Sequence, residues 1–357
     1  MAHITQGSGN TPLYEIPKDY YPEGCGFWFK ISKGIDKGKK LFFRDSIHGG
    51  REPDDIILFV HGNPECSYSY RKVIKHLMIA GKKSIRIVNP DHIGFGLSDQ
   101  ASHEMVCMDH AENLLDLITT LDLQNITMII HDWGGPIGIG ALLKIPERLK
   151  NLIILNSTVF PLSNHCLTYK NYPIPWLGWA RTPYIIPNRF WGAFASYAMF
   201  TKPVGSMKIL SGMLKYIFMA ELGKLPKEEF RARSVVNQQF LSKPNVKSSK
   251  RLVLQSAVWG QGNNYTDPKI GKRTTKPFYD FIQENIKLSW SGKSNRIGVH
   301  AVIGKWDPLG NENVLKQWLQ NLPQLRNNIT LFRDVGHFIE EIKYKEIAEV
   351  ILKSITP

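Results

Sequence analysis

In the first half of the chain, apolar runs that end in glycine or turn residues alternate with segments whose apolar positions recur at helical spacing. Residues 26–32 and 39–47 have strand character and flank the Gly34–Gly38 turn, which predicts a strand pair. The run DDIILFVHG lacks alternation, as expected of a strand buried on both faces. The pattern then predicts helix 67–80, strand 84–89, helix 107–121, strand 126–131, helix 134–144 and strand 149–156. Strands alternating with helices imply right-handed crossovers and a mostly parallel sheet. Functional residues then belong in loops at the carboxyl ends of those strands.

The alternation stops near Ser157. From there to about Gly271 the chain is aromatic-rich, punctuated by proline and helical in character, with Trp176, Trp179, Trp191, Phe194 and Tyr197. It resumes with helix 277–288, strand 297–303, helix 311–321, strand 329–333 and helix 338–353. Single cores stop growing near ~250–300 residues, so a 357-residue chain suits one large core carrying an insertion. The expected α/β architecture is a mostly parallel eight-stranded sheet with a helical cap between strands 6 and 7. Its parts would be core 1–157, cap 158–272 and core 273–357.

Composition narrows the function classes. Hydrophobic content of 43% and charged content of 21% are ordinary for a globular protein. The formal charge of +14 bears on solubility and nonspecific contacts. The lysines are dispersed, and groups such as Lys37, Lys39 and Lys40 or Lys247, Lys250 and Arg251 read as solvated loops, so no nucleic-acid partner is expected. Met1 to Asn10 lacks the apolar region of a leader. Phe190 to Leu225 is the most lipid-like stretch, but Lys202, Lys208, Lys215 and Lys224 interrupt it. No run approaches ~18 uninterrupted apolar residues, so no membrane partner and a cytoplasmic location are expected. Cys25, Cys66, Cys107 and Cys166 form no C-x-x-C pair and read as reduced thiols. His61, His92 and His131 have no acidic or histidine partners at ligand spacing, so neither metal nor other cofactor is expected. Gly94, Gly96 and Ser98 read as turn residues.

The sharpest chemical signal is ITMIIHDWGGPIGIG. A strand ends at His131, and Asp132-Trp133-Gly134-Gly135 turns directly into a helix, the geometry of a nucleophile elbow with Gly134 permitting close helix packing. Elbows usually carry serine; a carboxylate needs no base to ionise it, and the helix N-terminus favours its charge. It can displace a leaving group from an sp³ carbon and form an ester. The competing reading of Asp132 is a simple helix N-cap.

An ester intermediate needs water activated by a base, and NNITLFRDVGHFIEEI places His337 after a strand and a glycine-containing loop. The acid that orients it is expected at Asp307, in GVHAVIGKWDPLG. Asp334 lies nearer in sequence, and the strand before the insertion ends in Asn156-Ser157 without a carboxylate. In LFVHGNPECSYSYR, the loop after the third strand can face the elbow with backbone amides, so the amides of Asn63 and Trp133 are candidate oxyanion donors. Their side chains add an amide NH₂ and an indole N–H, neutral donors suited to a departing anion.

Taken together, HGNPE, DHIGFGLSD, HDWGG, WDPLG and GHF resemble the haloalkane dehalogenases of the α/β-hydrolase superfamily. The likeness runs from about residue 26 onward and is weakest in the cap. It implies an α/β-hydrolase fold with Asp132 as nucleophile, His337 as base, Asp307 as third member, and Asn63 and Trp133 as halide-stabilising donors. The longer cap and Glu65 depart from the pattern, and Glu65 is more typical of epoxide hydrolases. Epoxide hydrolases share the elbow, histidine and late aspartate, but protonate the opening oxygen with cap tyrosines, here Tyr169, Tyr172, Tyr184, Tyr197 or Tyr216. They usually carry an aromatic residue where this chain has Asn63. Fluoroacetate dehalogenases place arginine after the nucleophile, where Trp133 stands. The expected reaction is hydrolysis of haloalkanes to alcohol and halide through an aspartyl ester, with epoxide hydrolysis or noncatalytic binding as alternatives. The partners would be a small halogenated or epoxide substrate and water, on a monomer or weak homo-oligomer.

Overall fold

The computed structural model describes residues 3–50, 52–53, 55–80, 84–162, 179–200, 205–224, 231–292 and 296–355. Cys166, Trp176, Tyr169, Tyr172 and Lys202 lie outside them. The first part of the chain forms β1 (Ile4–Thr5), β2 (Gly26–Lys30), β3 (Lys40–His48), β4 (Asp55–Val60), α1 (Arg71–Ala80), β5 (Ile85–Pro90), α2 (Cys107–Thr120), β6 (Ile126–His131), α3 (Gly134–Leu142) and β7 (Leu149–Leu155). The inserted segment contributes α4 (Thr182–Ile185), α5 (Trp191–Phe200), α6 (Ser206–Glu221), α7 (Arg231–Gln239), α8 (Lys243–Gln255) and the strands β8 (Asn264–Asp267) and β9 (Gly271–Thr274). The chain then returns through α9 (Lys276–Trp290), β10 (Gly298–Gly304), α10 (Glu312–Asn321), β11 (Ile329–Phe332), α11 (Ile339–Ile342) and α12 (Tyr344–Ile355).

Nine strands make one sheet in the order β1-β2-β3-β5-β4-β6-β7-β10-β11. The β1, β2 and β3 pairings are antiparallel, and every pairing from β5 to β11 is parallel. The sheet is therefore one strand wider than the eight expected. The extra strand, β1, has two residues and pairs Ile4 with Phe29, too short to show any periodicity.

Alternate residues of the central strands serve two separate cores, as the two-residue period of a strand dictates. Leu58, Val60, Met128, Ile130, Leu152 and Ile154 join α2 and α3 on one face. Ile57, Phe59, Ile129, Ile153 and Leu155 join α1 and α12 on the other. All six residues of β6 are buried, which is why the strand reads as a continuous apolar run. Two helices differ from expectation. The predicted helix 67–80 opens with a 3₁₀ turn, Ser67–Tyr70, before α1. The predicted helix 338–353 is interrupted at Lys343, whose φ of −107° and ψ of 33° leave the helical region. The insertion also carries the β8–β9 hairpin, which the sequence pattern did not suggest. Among the described residues no helix is long and apolar enough to cross a membrane.

Candidate active site

Asp132 stands where β6 gives way to α3, at a φ of +50°. That left-handed conformation is unfavourable for a residue with a side chain and persists only where the surroundings enforce it. Three neighbours do so. A Cβ on Gly134 would fall 2.1 Å from the Val60 carbonyl, and one on Gly62 would fall 2.4 Å from Asp132 Oδ1, so both positions must be glycine for the chains to meet. From the segment just after β7, Ser157 Oγ donates to the Asp132 carbonyl at 2.6 Å. The carboxylate is thereby held at the tip of the elbow, at the carboxyl edge of the sheet.

The side chains of Asp132, His337 and Asp307 meet there. His337, in the loop between β11 and α11, places Nε2 3.1 Å from Asp132 Oδ2 and donates through Nδ1 to Asp307 Oδ2 at 2.7 Å. Asp307 follows β10 and is buried. Asp334 is exposed and lies away from the imidazole's bonds. Burial opposes charge on His337, but Asp307 and Asp132 outweigh it and raise its pKa well above the usual histidine range. Free protein near neutral pH therefore holds an imidazolium between two carboxylates.

Asn156, where the sequence offers no carboxylate, has a specific structural role. Its Nδ2 donates to Asp307 Oδ2 at 2.7 Å and to the Gly304 carbonyl at 2.9 Å, while its Oδ1 accepts from Gly304 N–H at 2.8 Å. The amide thus locks the acid loop to the end of β7 and satisfies one oxygen of Asp307 together with His337.

The loop after β4 faces the elbow as expected. Asn63 N–H donates to Asp132 Oδ1 at 2.8 Å. The side-chain amide of Asn63 is oriented from the insertion: Ser249 Oγ donates to its Oδ1 at 2.6 Å, and Trp191 Nε1 donates to Ser249 Oγ at 3.0 Å. With Oδ1 committed, the NH₂ is set on the other side, where its contact with the Ser249 carbonyl is long at 3.4 Å. The Trp133 ring is buried and stacks on Trp259 with centroids 3.7 Å apart and planes 21° apart. Its indole N–H has no acceptor among the described residues. Trp259 is fixed in turn by donating to the Thr158 carbonyl at 2.7 Å. Two residues with neutral donors thus adjoin Asp132, and a hydroxyl and a ring from the insertion contact them.

A second ionisable cluster lies directly beneath. Glu65, His131 and Glu340 are fully buried, with ligand-type atoms within 4.8 Å of one another. The expectation that His131 lacks acidic company is therefore corrected: Glu65 and Glu340 converge on it from distant parts of the chain. Glu65 Oε1 accepts from Gly62 N–H and from His131 Nδ1, both at 2.6 Å. His131 Nε2 donates to the His337 carbonyl at 2.9 Å and sits 3.6 Å from Glu340 Oε2. Burial disfavours the His131 charge, but Glu340 and Glu65 prevail and push its pKa up to about 9. Burial likewise raises Glu340 to about 8. Through these two contacts the His131 ring joins the backbone of the Asn63 loop, by way of Glu65, to that of the His337 loop. His61 and His92 bond each other's main chain, as expected of structural histidines.

Of the five candidate epoxide-opening tyrosines, Tyr169 and Tyr172 lie outside the described residues. Tyr184 is exposed, Tyr197 donates to the Ile209 carbonyl, and Tyr216 pairs with Ser196. Among the described residues no tyrosine hydroxyl bonds Asp132.

A family profile for the alpha/beta hydrolase fold matches residues 55–191. The chain is 32% identical over 314 residues to a cis-3-alkyl-4-alkyloxetan-2-one decarboxylase of Shewanella oneidensis, covering 87% of this chain and 83% of that protein. It is 35% identical over 160 residues to a haloalkane dehalogenase of Psychrobacter cryohalolentis, covering 44% and 48% respectively. Among solved structures, a tetrameric haloalkane dehalogenase from Paraglaciecola agarilytica superimposes with a TM-score of 0.64 at 20% identity, over 96% of this chain and 97% of that one.

Proposed function

Because this chain belongs to the alpha/beta-hydrolase-fold family, we propose that Asp132 is its nucleophile and that it hydrolyses carbon–halogen bonds through an aspartyl ester. The observation that carries this reading is the joint geometry of Asp132, His337 and Asp307, with Nε2 at 3.1 Å and Nδ1 at 2.7 Å. Asp132 attacks the halogenated carbon as the carbon–halogen bond breaks, and the Asn63 amide and Trp133 indole receive the halide. Ester formation removes the charge of Asp132, so His337 loses one of the two carboxylates that hold its proton. Its pKa falls, the proton leaves to solvent, and the imidazole becomes a base for water. Water then attacks the ester carbonyl carbon, whose oxygen is stabilised by Asn63 N–H. Collapse releases the alcohol and restores the carboxylate. The insertion serves as the cap, excluding bulk water through Trp259, Trp191 and their neighbours.

A second reading has its own support: the decarboxylase match spans the insertion as well as the core. Applied to an oxetan-2-one, the same nucleophile would attack C4 and open the ring, with the departing carboxylate received by the same donors. Loss of carbon dioxide would then send its bonding pair into a C3–C4 double bond and expel Asp132. That route consumes no water and gives an alkene.

The two readings separate in one paired assay, following bromide from 1,2-dibromoethane and alkene from a cis-3,4-dialkyloxetan-2-one. Dehalogenation predicts bromide turnover that His337→Phe stops after one equivalent, leaving an alkyl adduct on Asp132 detectable by mass. Alkene formation that survives His337→Phe establishes the second reading. Bromide turnover undiminished in His337→Phe would refute the assigned base.

A further inference from the structure

Helix α6 carries apolar residues on two opposite faces. Ile209, Met213 and Tyr216 are buried, on the side that packs against α5. At 100° per residue, Met207, Leu214, Phe218 and the following Leu222 fall within an arc of about 80° on the opposite side. Those four are 71%, 59%, 64% and 48% exposed. An ordinary surface helix presents polar groups there. Single exposed apolar residues need no explanation, whereas an aligned row marks a surface that something covers.

The charges around the row indicate what covers it. Lys208 and Lys215 border the arc along one edge, and Lys224 follows the helix end; all three are exposed, and none forms an ion pair among the described residues. The helix has one acidic residue, Glu221, and Arg189 neutralises it. The whole chain carries +14. An apolar stripe edged by lysines, on a cationic protein, is complementary to acyl chains below a layer of anionic headgroups. Lysine stems can lie along the apolar boundary while their ammonium groups reach phosphate.

We propose that α6 lies in the plane of an anionic lipid surface and attaches the protein to it peripherally. The expectation of no membrane partner rested on the lack of a spanning segment, which an in-plane helix does not need. The consequence for the site is direct. The other face of α6 packs on α5, and Trp191 of α5 bonds Ser249, which orients Asn63. An apolar substrate dissolved in lipid would meet the protein one helix away from Trp191. The lipid contact itself does not depend on which reaction the site performs.

The test is co-sedimentation of the full chain with phosphatidylglycerol-containing vesicles and with pure phosphatidylcholine vesicles. Binding to the anionic vesicles, weakened by salt, is expected. Leu214→Ser with Phe218→Ser should reduce partitioning by about tenfold or more through lost apolar burial. Lys208→Gln with Lys215→Gln should cost about fivefold per lysine and flatten the salt dependence. All four side chains face solvent, so an unchanged melting temperature verifies the fold. Equal sedimentation with neutral and anionic vesicles, or unchanged partitioning of the serine double variant, overturns the proposal. A lower solution mass for that variant by light scattering, with vesicle partitioning unaffected, assigns the stripe to a subunit contact instead.

Discussion

The sheet side and the insertion side of the site are built by different means. On the sheet side, ionised groups hold one another: Asp307 Oδ2 is shared by His337 and Asn156, Asp132 is bonded at both carboxylate oxygens, and His131 joins two loops through charge-assisted contacts. On the insertion side the contacts are neutral, a hydroxyl on the Asn63 amide and one indole stacked on another. Charge-assisted bonds inside a dry core are strong and intolerant of displacement. Neutral contacts can be exchanged at little cost. Under the proposed mechanism the sheet side would perform the bond-making chemistry, and the insertion would adjust which leaving group and which substrate shape are accepted, as a rigid scaffold carrying variable elements does.

The contrast is broken most severely at Asp307. In Asp307→Asn the side chain keeps its shape, but His337 loses the stronger of the two charges that hold its cation, and the new amide presents either a donor or a weaker acceptor to Nδ1. Bromide turnover should fall by about 10²–10⁴-fold, whereas alkene formation, which needs no base, should persist. Because the raised pKa of His337 depends first on burial, which lowers it, and then on Asp307, which raises it, the variant's imidazole should titrate at lower pH. Histidine proton resonances followed against pH would check this directly. An unchanged titration would show that Asp307 does not govern the base.

The fold was legible wherever one physical period dominated a segment. Buried parallel strands read as unbroken apolar runs, and their helices as amphipathic stretches, so β4 to β7 and β10 to β11 are recovered within a residue or two of their bounds. The elbow and histidine were legible because each sits in a short contiguous motif at a strand end. What escaped notice is formed by residues that meet across the chain. Asn156 and Asp307 are 151 positions apart, Ser249 and Asn63 are 186 apart, and the bond from His131 to the main chain of His337 spans 206. Asparagine and serine carry no charge and recur in ordinary turns, so nothing local singles them out. Glu340 belongs to a Glu-Glu pair whose burial comes only from the fold. The outward stripe of α6 was visible only as a lipid-like composition, because its meaning depends on which face the neighbouring helix covers.

The cluster beneath the site supplies a test through stability. His131 has a folded pKa near 9 against about 6.5 for an unfolded histidine, so its contribution is complete below pH 6.5 and is lost as pH rises through 9. Glu340 is raised from 4.5 to about 8; its contribution is complete below pH 4.5 and is lost as pH rises through 8. Both groups act in the same direction, so thermal stability should decline between about pH 4.5 and 9. His131→Phe leaves buried Glu65 without its cation and should cost about 3–5 kcal/mol at pH 7. That penalty should shrink as pH rises through 9, where His131 of the parent also loses its charge. Denaturant titrations of both proteins at pH 5, 7 and 9 would measure it. A penalty independent of pH would mean that His131 acts by packing rather than by charge.

The insertion side should respond most gently. Ser249→Ala removes the hydroxyl that fixes Asn63 Oδ1 and leaves Trp191 Nε1 without its acceptor. The Asn63 amide keeps its NH₂ but becomes free to rotate, so the loss is one of orientation, not of a donor. A neutral hydrogen bond is worth about 1 kcal/mol, which predicts a roughly fivefold fall in kcat/KM and little change in the His337 titration. The halide or carboxylate identity of the leaving group should matter more in this variant than in the parent, because a donor that is no longer held must be ordered by the anion itself. Comparing chloro, bromo and oxetanone substrates in parent and variant measures that difference. A uniform loss across leaving groups would place Ser249 in the scaffold of the insertion rather than in the control of Asn63.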